Sequence, residues 1–323
     1  MIKLDLKDKK LLYQLDINSR QSYKEIGKKI GLSKDAVSYR IKQLQEEGII
    51  RQFHTVIDVG KLGLISFRLY LKFQNTNQKK ESEIIEFIKK QKNIPWCASF
   101  DGEYDLGIWV LVKSIKEMNS FWKELLDKYL NYISKKSLTI FTKVSYFPRV
   151  YLLEGRNNDK EYVFITEPEK ANIDSKDIEI LQLLAPNARI PLLEIAEKLN
   201  MTPKTVASRI KELQRKKVII GYRTRFDLDK LSYQYFKLHI NLHNITKEKE
   251  DNLRNYFFTH PNIIYDNRVL GGDDIEIEIQ VKSLQDLRKI IADIKSSFSD
   301  IIQDYHYFLI YKEHKALFLV SDV

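Results

Sequence analysis

The sequence predicts an α+β protein built from two tandem copies of one two-part unit. Sliding the 323-residue chain against itself by 169 positions aligns almost all of each half without a gap. Between residues 5–50 and 174–219, 17 of 46 positions are identical. Each half starts with a helical pattern and continues with alternating strand and helix patterns. Since a chance match would not keep one offset across a whole half, we interpret the chain as an internal duplication.

Three short helices are predicted at the start of each copy. In the first copy, leucines at 11–15 predict one helix, a short apolar stretch ending at Gly31 predicts the next, and Ser33 caps the third. Thr202 is the corresponding cap in the second copy. The apolar stripe of the third helix consists of Val37, Ile41 and Leu44 in copy one and of Val206, Ile210 and Leu213 in copy two.

A strand-rich region follows the helices in each copy. The β-branched and aromatic runs 48–58 and 218–227 predict short hairpin wings, and period-two alternation at 64–73 and 235–242 predicts the next strands. The remaining predicted helices are 79–92, 114–129, 247–260 and 283–297, and the remaining predicted strands are 95–101, 104–112, 132–142, 263–271, 274–282 and 301–312. This β-α-β-β-α-β order is that of a ferredoxin-like domain.

These patterns divide the chain into five segments. The predicted segments are a winged helix-turn-helix at 1–60, a ferredoxin-like domain at 61–145, a linker with a hairpin at 146–172, a second winged helix-turn-helix at 173–229 and a second ferredoxin-like domain at 230–323. The linker is also expected to pair with the tail of the chain, residues 315–323.

Composition restricts the class of protein. Hydrophobic residues make up 43% of the chain and aromatic residues 11%, which is enough for packed cores. No apolar run approaches the roughly 20 residues of a membrane span, and the first residues predict no signal peptide. Because Cys97 is the only cysteine, internal disulfides are excluded and a cytoplasmic location is predicted.

The net charge of +10 is concentrated in the helical part of each copy. Residues 1–55 carry 12 Lys/Arg against 7 Asp/Glu, residues 173–225 carry 11 against 6, and the rest of the chain sums to zero. Two small basic domains favour a polyanion such as nucleic acid as the partner. A solvated lysine-rich surface is the alternative explanation.

The exposed face of each third helix predicts contact with double-stranded DNA, because this helix of a helix-turn-helix lies in the major groove. The predicted DNA-binding residues are Ser33, Lys34, Ser38, Tyr39, Arg40 and Lys42 in copy one and Thr202, Lys204, Thr205, Ser208, Arg209 and Lys211 in copy two. Arg40 and Arg209 lie between the exposed and the buried face, where they either grip a phosphate or brace the fold. A generic three-helix packing unit with a charged surface is the alternative.

Each half resembles a full subunit of the Lrp/AsnC (feast/famine) transcription regulators. The resemblance is carried by the helical stretches 8–50 and 177–220, by "VIDVGKLG" and "FDLDKLS", and by "GEYD" and "GGDD" in the ferredoxin-like domains. It implies a sequence-specific regulator with an N-terminal helix-turn-helix, a C-terminal effector domain called RAM and no cofactor. It also implies assembly through the RAM sheets.

The resemblance further implies a small effector, often an amino acid, near a Gly-Asp-aromatic-Asp loop. Gly102, Tyr104 and Asp105 would contribute to that effector site. The second copy has Asp273 in place of the aromatic residue, so we favour the first copy and interpret the loop 271–274 as a simple glycine turn.

Differences between the copies lead to two hypotheses. Residues 56–172 carry a net +4 and residues 226–323 a net −4, and edge charges of opposite sign favour pairing of the two RAM domains into a covalent pseudo-dimer. The exposed positions of the third helices also differ, as at Tyr39 and Ser208, so we expect two unlike DNA half-sites. A further dimer of whole chains stays open.

An enzyme built on the same plan is the main alternative, because siroheme decarboxylases also resemble paired or fused Lrp/AsnC units. Such an enzyme needs His and Arg residues around a cleft, and the candidates are Arg51, His54, Arg68, Arg223, Arg225 and His239. The basic third helices and the lack of a tryptophan-containing tetrapyrrole motif on the first RAM strands favour the regulator. His239 and His243 would lie roughly 13 Å apart along a strand, which argues against a metal site formed by this pair.

Overall fold

The computed structural model describes residues 4–164, 168–317 and 319, and its element order confirms the predicted α+β fold class. The helices are α1 (Leu6–Ile17), α2 (Tyr23–Ile30), α3 (Lys34–Glu46), α4 (Gln78–Lys90), α5 (Ile115–Tyr129), α6 (Ser175–Leu184), α7 (Leu192–Leu199), α8 (Pro203–Arg215), α9 (Lys247–Thr259) and α10 (Leu284–Ser297). The strands are β1 (Ile50–Ile57), β2 (Ile65–Phe73), β3 (Trp96–Gly102), β4 (Leu106–Val112), β5 (Ile133–Tyr146), β6 (Tyr162–Phe164), β7 (Ile219–Phe226), β8 (Gln234–Leu242), β9 (Ile263–Leu270), β10 (Ile275–Val281) and β11 (Ile302–Ala316). Within the described ranges, no helix combines the length and the apolar character that crossing a bilayer requires.

Side-chain caps set the helix boundaries. Asp5 and Asp174 begin α1 and α6 with reciprocal capping boxes. Gly31 ends α2 with a φ of 68°, a left-handed conformation that glycine adopts without strain. The oxygen of Ser33 accepts a hydrogen bond from the N–H of Ala36 and begins α3. These caps are local in sequence, so the predicted helix boundaries agree closely with the observed ones.

The predicted hairpin wings were wrong, because each run forms one continuous strand. Strands β1 and β7 pair antiparallel with each other, and His54 lies opposite Arg223. Neither run contains a two-residue turn such as Asn-Gly that would fold it back on itself. Each wing strand therefore takes its partner from the other copy and joins the two helical domains.

The two helical domains share one hydrophobic core and exchange matching contacts. The hydroxyl of Thr55 donates to the carbonyl of Leu184 at 2.8 Å, and the hydroxyl of Thr224 donates to the carbonyl of Leu15 at 2.9 Å. The two contacts are related by the 169-residue offset of the duplication. The copies are therefore arranged about an approximate two-fold axis.

Two arginines that are identical in the copies hold the helical domains together. The Nη1 atom of Arg20 donates to the carbonyl of Ala188, and Nη1 of Arg189 donates to the carbonyl of Ser19. The Arg189 guanidinium also lies 4.6 Å from the ring centre of Tyr23. Each arginine thus joins its own domain to the domain of the other copy.

We expect the substitutions R20A and R189A each to lower the free energy of unfolding by about 1–3 kcal/mol, because carbonyls at a buried junction would lose a charged donor. Denaturant unfolding followed by far-UV circular dichroism measures the change. R215A is the matched control, since Arg215 is 72% exposed and pairs with Glu212 on the same helix. If R189A unfolds at the same denaturant concentration as R215A, Arg189 does not stabilise the junction between the helical domains.

The RAM strands close into a ring. Their order is β2-β4-β3-β11-β8-β10-β9-β5, and β5 pairs again with β2. The copies meet at two antiparallel seams, β3 with β11 and β5 with β9. Closure removes the free edges that each four-stranded sheet would expose alone.

The linker contributes one short strand to this sheet. Strand β6 pairs with the end of β5, where Ser145 lies opposite Val163. The expected pairing of the linker with the tail is not observed for the described part of the tail, because Lys315 and Ala316 pair with β3. Residues 318 and 320–323 lie outside the described residues.

Alternating residues of each RAM strand face opposite sides of the ring. On β2, Leu69 belongs to the cluster that packs under α4 and α5, whereas Tyr70 belongs to a separate cluster inside the ring with Phe100 and Phe308. The helices therefore cover the outer face, and the inner face forms a second, partly polar core.

The inside of the ring contains buried charged residues of the second copy. The hydroxyl of Tyr70 donates to Oε2 of Glu276 at 2.7 Å. Lys237 lies 2.5 Å from Glu278, and both side chains are buried. The expected pairing of opposite edge charges between the copies stays a prediction, because the Lys237–Glu278 pair lies within the second copy. Because the sheet closes, the inner faces of the two copies meet, and Glu276 and Glu278 point into that space.

Candidate nucleic-acid interface

The outward face of α3 is exposed as predicted from its period. Val37, Ile41 and Leu44 are buried against the helical core. On the opposite face Tyr39 is 69% exposed and Lys42 carries a side chain that is 78% exposed. Lys34 is also exposed, and Ser38 is half-buried. An exposed phenol between two lysines can contact both base edges and phosphates.

The outward face of α8 has a different composition. Lys204, Thr205, Ser208 and Lys211 are exposed. Helix α8 contains four basic residues and one acidic residue, whereas α3 contains three basic and two acidic residues. The second copy therefore offers the more cationic surface and the first copy the aromatic one.

Ser33 and Thr202 occupy the caps of α3 and α8. The side-chain oxygen of Thr202 accepts from the N–H of Thr205 at 3.1 Å, and Ser33 makes the equivalent bond to Ala36. Both residues are exposed. Their established role is to begin the helix, and contact with a phosphate there stays a prediction.

Arg40 and Arg209 brace the fold. The guanidinium of Arg40 lies 2.8 Å from Asp5 and 2.6 Å from Asp8, at the start of α1. Arg209 makes the equivalent pairs with the two aspartates that begin α6. The hydrogen bonds that Arg40 donates to Asp8 and Asp5 raise its pKa. Of the two roles predicted for these arginines the structure shows the brace, and a phosphate would have to share a guanidinium that already has two partners.

The predicted effector residues hold the turn between β3 and β4. Gly102 has a φ of 139°, and a side chain there would meet Cβ of Phe308 at 2.9 Å. The carboxylate of Asp105 accepts from the N–H of Phe73 at 2.7 Å and lies 2.8 Å from Nζ of Lys72. Effector contact by Asp105 would therefore compete with bonds that hold the fold.

Tyr104 is buried at the rim of the ring, where its ring stacks on Tyr70 with centroids 5.2 Å apart. Its ring centroid lies 6.3 Å from that of His306, so residues of both copies meet there. Burial raises the pKa of the Tyr104 hydroxyl, which is thus kept protonated. The residue is positioned as a wall of the rim.

The turn at 271–274 was interpreted too simply as a glycine turn. Oδ2 of Asp273 lies 2.8 Å from Nδ1 of His239 and 3.5 Å from Nε2 of His306. Burial alone would raise the pKa of Asp273, but the hydrogen bond and charge of His239 lower it below its ordinary value. Burial, reinforced by His239, lowers the pKa of His306.

Sequence reasoning missed this His–Asp–His cluster, although comparison of the copies contained the signal. At the 169-residue offset, the three residues of copy two replace Tyr70, Tyr104 and Ser137 of copy one. All three replacements place a histidine or an aspartate, which can bind a proton or a metal ion, in the second copy. No single window of sequence shows them together.

The cationic residues considered for an acidic tetrapyrrole are engaged in the fold. Arg51 pairs with Asp227 at 2.7 Å, Arg225 pairs with Glu313 at 2.6 Å, and Arg223 lies 3.6 Å from Asp16. The guanidinium of Arg68 lies 4.5 Å from the ring centre of Trp96, and His54 is buried on the wing strand β1. Four of these residues lie on the wing strands β1 and β7, outside the ring, and only Arg68 lies on a ring strand, β2.

Two family models match the helical domains. Residues 173–214 match the AsnC-type helix-turn-helix domain, and residues 4–51 match a winged helix-turn-helix DNA-binding domain. The HTH-type transcriptional regulator Ptr1 of Methanocaldococcus jannaschii is 33% identical over 131 residues, which cover 40% of this chain and 85% of that protein. An uncharacterized HTH-type transcriptional regulator of Pyrococcus furiosus is 32% identical over 127 residues, which cover 39% of this chain and 84% of that protein.

Similarity over the full length comes from a solved structure. The crystal structure of the siroheme decarboxylase NirDL covers 96% of this chain and 92% of its own, with a TM-score of 0.64 and 12% identity. Its co-complex with an iron-uroporphyrin III analogue covers 98% of this chain and 95% of its own, with a TM-score of 0.64 and 13% identity. At such low identity the similarity shows a common fold and no more.

Proposed function

The chain belongs to the Lrp/AsnC family of helix-turn-helix transcription regulators, and we propose that it binds double-stranded DNA with two unlike recognition helices carried by one polypeptide. The observation that carries this proposal is the pair of exposed basic helix faces, α3 and α8, on helical domains that share a core. The most extensive contacts that the structure describes for α3 and α8 are with other helices of the helical domains and with the wing strands.

One chain supplies the two helix-turn-helix domains that a dimer would otherwise supply. The pairing of β1 with β7 and the exchanged arginine bonds join these domains directly. Binding of one helix then makes binding of the second intramolecular, so the second helix acts at a high effective concentration. We therefore propose that the single chain is the DNA-binding unit, a covalent pseudo-dimer.

The two helices should select different sequences. Tyr39 of α3 corresponds to Ser208 of α8, and Asp35 corresponds to Lys204. These four positions lie on the faces that a major groove would meet. Different donors, acceptors and apolar groups at these positions favour different base edges.

Binding selection from random duplex DNA tests the proposal, and we expect a site with two unlike half-sites about one helical turn apart. A salt series on the selected site should give a log–log slope of about −0.9 for each phosphate neutralised. Selection of no duplex would overturn DNA binding, and a symmetric site would overturn the proposed asymmetry. Turnover of siroheme by the same preparation would instead support the decarboxylase alternative.

The second part of the proposal is an effector site at the rim of the ring. Its support is the resemblance to family members that bind amino acids near the corresponding loop, together with the position of Tyr104 between the two copies. The effector would be a small molecule such as an amino acid. Action in the cytoplasm and assembly of whole chains into larger oligomers stay predictions.

A further inference from the structure

Three metal-binding side chains converge at the rim of the ring. His239 comes from β8, His306 from β11, and Asp273 from the turn between β9 and β10. Each offers one nitrogen or oxygen atom, and the three atoms lie within 4.8 Å of one another. Two imidazoles and a carboxylate form a set of ligands that binds divalent transition metals in many proteins.

Two of the three distances between these atoms are close to those expected around a metal ion. Zinc bonds of about 2.0–2.2 Å place neighbouring tetrahedral ligands about 3.4 Å apart. The 3.5 Å between His306 Nε2 and Asp273 Oδ2 already has this value. The 2.8 Å between His239 Nδ1 and Asp273 Oδ2 has to widen by only about 0.6 Å, which a small movement of the turn provides.

Unpartnered buried nitrogen atoms give independent support. Nε2 of His239 and Nε2 of His306 are buried without a hydrogen-bond partner in the part of the chain that the structure describes. His239 is 1% exposed, and its Nδ1 lies against Asp273. If Nδ1 carries the proton, the lone pair of Nε2 lies 3.7 Å from Oε2 of Glu276. Such an arrangement is unfavourable in a buried site.

Metal coordination by Nδ1 of His239 removes this conflict. The proton then resides on Nε2, 3.7 Å from Glu276, and a carboxylate near this proton is the partner that metal-bound histidines commonly have. Glu276 is held in turn by the hydroxyl of Tyr70 at 2.7 Å. His306 Nε2 acquires the metal as its partner.

We propose that His239, Asp273 and His306 bind one divalent transition-metal ion, for which Zn²⁺ is the experimental probe. The site belongs to the second copy alone, because Tyr70, Tyr104 and Ser137 occupy the corresponding positions in the first. His306 has a side chain that is 26% exposed, so the ion can enter from solvent. With three protein ligands the site keeps one position open for water or a small anion.

This proposal replaces the sequence-based expectation of no metal site at His239. That expectation paired His239 with His243, which is exposed and lies farther along the same strand region. The structure pairs His239 with His306 on the neighbouring strand, where the two residues lie directly opposite. Cross-strand neighbours lie about 4.5–5.5 Å apart at Cβ, close enough to share an ion.

The test is Zn²⁺ titration of the full-length chain, freed of metal by chelation, against a chromophoric indicator. We expect one tight equivalent for the unmodified chain. H306S introduces the residue of the first copy, D273N retains the shape of the side chain, and each should weaken binding by at least about 100-fold. Thermal unfolding should shift upward with Zn²⁺ in the unmodified chain and not in these variants.

The exposed histidine His243 provides a control variant for the Zn²⁺ titration. H243A removes an exposed histidine that is not a ligand, and it should bind Zn²⁺ as the unmodified chain does. Melting of the metal-free variants shows whether they fold. Absence of a stoichiometric Zn²⁺ site in the unmodified chain, or equal affinity in folded H306S and D273N, would overturn the proposal.

Discussion

Replacing Asp16 with asparagine is expected to lower the free energy of unfolding by about 3–5 kcal/mol, because it would leave buried arginines without their counter-charge. Asp16 is fully buried at the end of α1. Its carboxylate accepts from the N–H of Arg149 at 2.8 Å and from the Arg149 guanidinium at 2.5 Å, and it also accepts from the hydroxyl of Tyr146. Arg223 of the wing strand β7 lies 3.6 Å away.

This cluster joins three parts of the chain. Asp16 belongs to the first helical domain, Tyr146 ends β5 and Arg149 follows it in the linker, and Arg223 belongs to the second helical domain. Loss of the negative charge should therefore weaken the junction as a whole. Denaturant unfolding followed by far-UV circular dichroism measures the effect.

The loss of unfolding free energy in D16N should depend on pH. Burial would raise the pKa of Asp16, but Arg149 and Arg223 outweigh it and hold the pKa below its ordinary value of 3.8. The stability that the carboxylate contributes is therefore complete above pH 3.8 and disappears as the pH falls through the lower pKa of the folded state. The difference between the unmodified chain and D16N should narrow in that acidic range.

D300N is the matched control for D16N. Asp300 pairs with Lys249 at 2.7 Å, but its side chain is 63% exposed. Replacing this aspartate with asparagine should lower the free energy of unfolding by no more than about 1 kcal/mol. If D16N unfolds at the same denaturant concentration as D300N, the buried charge does not stabilise the junction.

Reversing the charge of one recognition helix is expected to weaken binding to the selected duplex by about 10²–10⁴-fold, because the linked second helix would bind alone. The variants are K34E/K42E on α3 and K204E/K211E on α8, and these four lysines are exposed. Glutamates at these positions would also repel the phosphates. Fluorescence anisotropy at fixed salt measures the affinity.

A charge-matched control separates contact from net charge. K116E/K123E changes two exposed lysines of α5, outside the helical domains, by the same amount. Screening limits the reach of such charges to about 10 Å at 0.1 M salt, so this variant should retain nearly full affinity. Equal losses in all three variants would show that overall charge, and not the recognition helices, determines binding.

Local signals were sufficient for the helices and strands. The cap at Ser33, the left-handed residue Gly31 and the alternation along β10 each depend on residues within a few positions. For the same reason the exposed face of α3 followed from its period. Predicted and observed boundaries of β10, 274–282 and Ile275–Val281, differ by one residue at each end.

Contacts between residues far apart in the sequence could not be predicted from local patterns. Arg40 lies on the border of the exposed face, but its partner Asp5 is 35 residues away in the sequence. The wing strand β1 carries no information in its own residues that its partner is β7. Sequence patterns leave such pairings open, because many strand edges of similar composition could meet.

The sequence by itself determined the duplication, the order of helices and strands and the basic faces of the two recognition helices. Each of these depends on composition or on neighbouring residues. The tertiary structure decided that the wings pair with each other, that the RAM strands close into a ring and that His239, Asp273 and His306 meet. These outcomes depend on contacts between segments far apart in the chain, whose free energy no single stretch of residues contains.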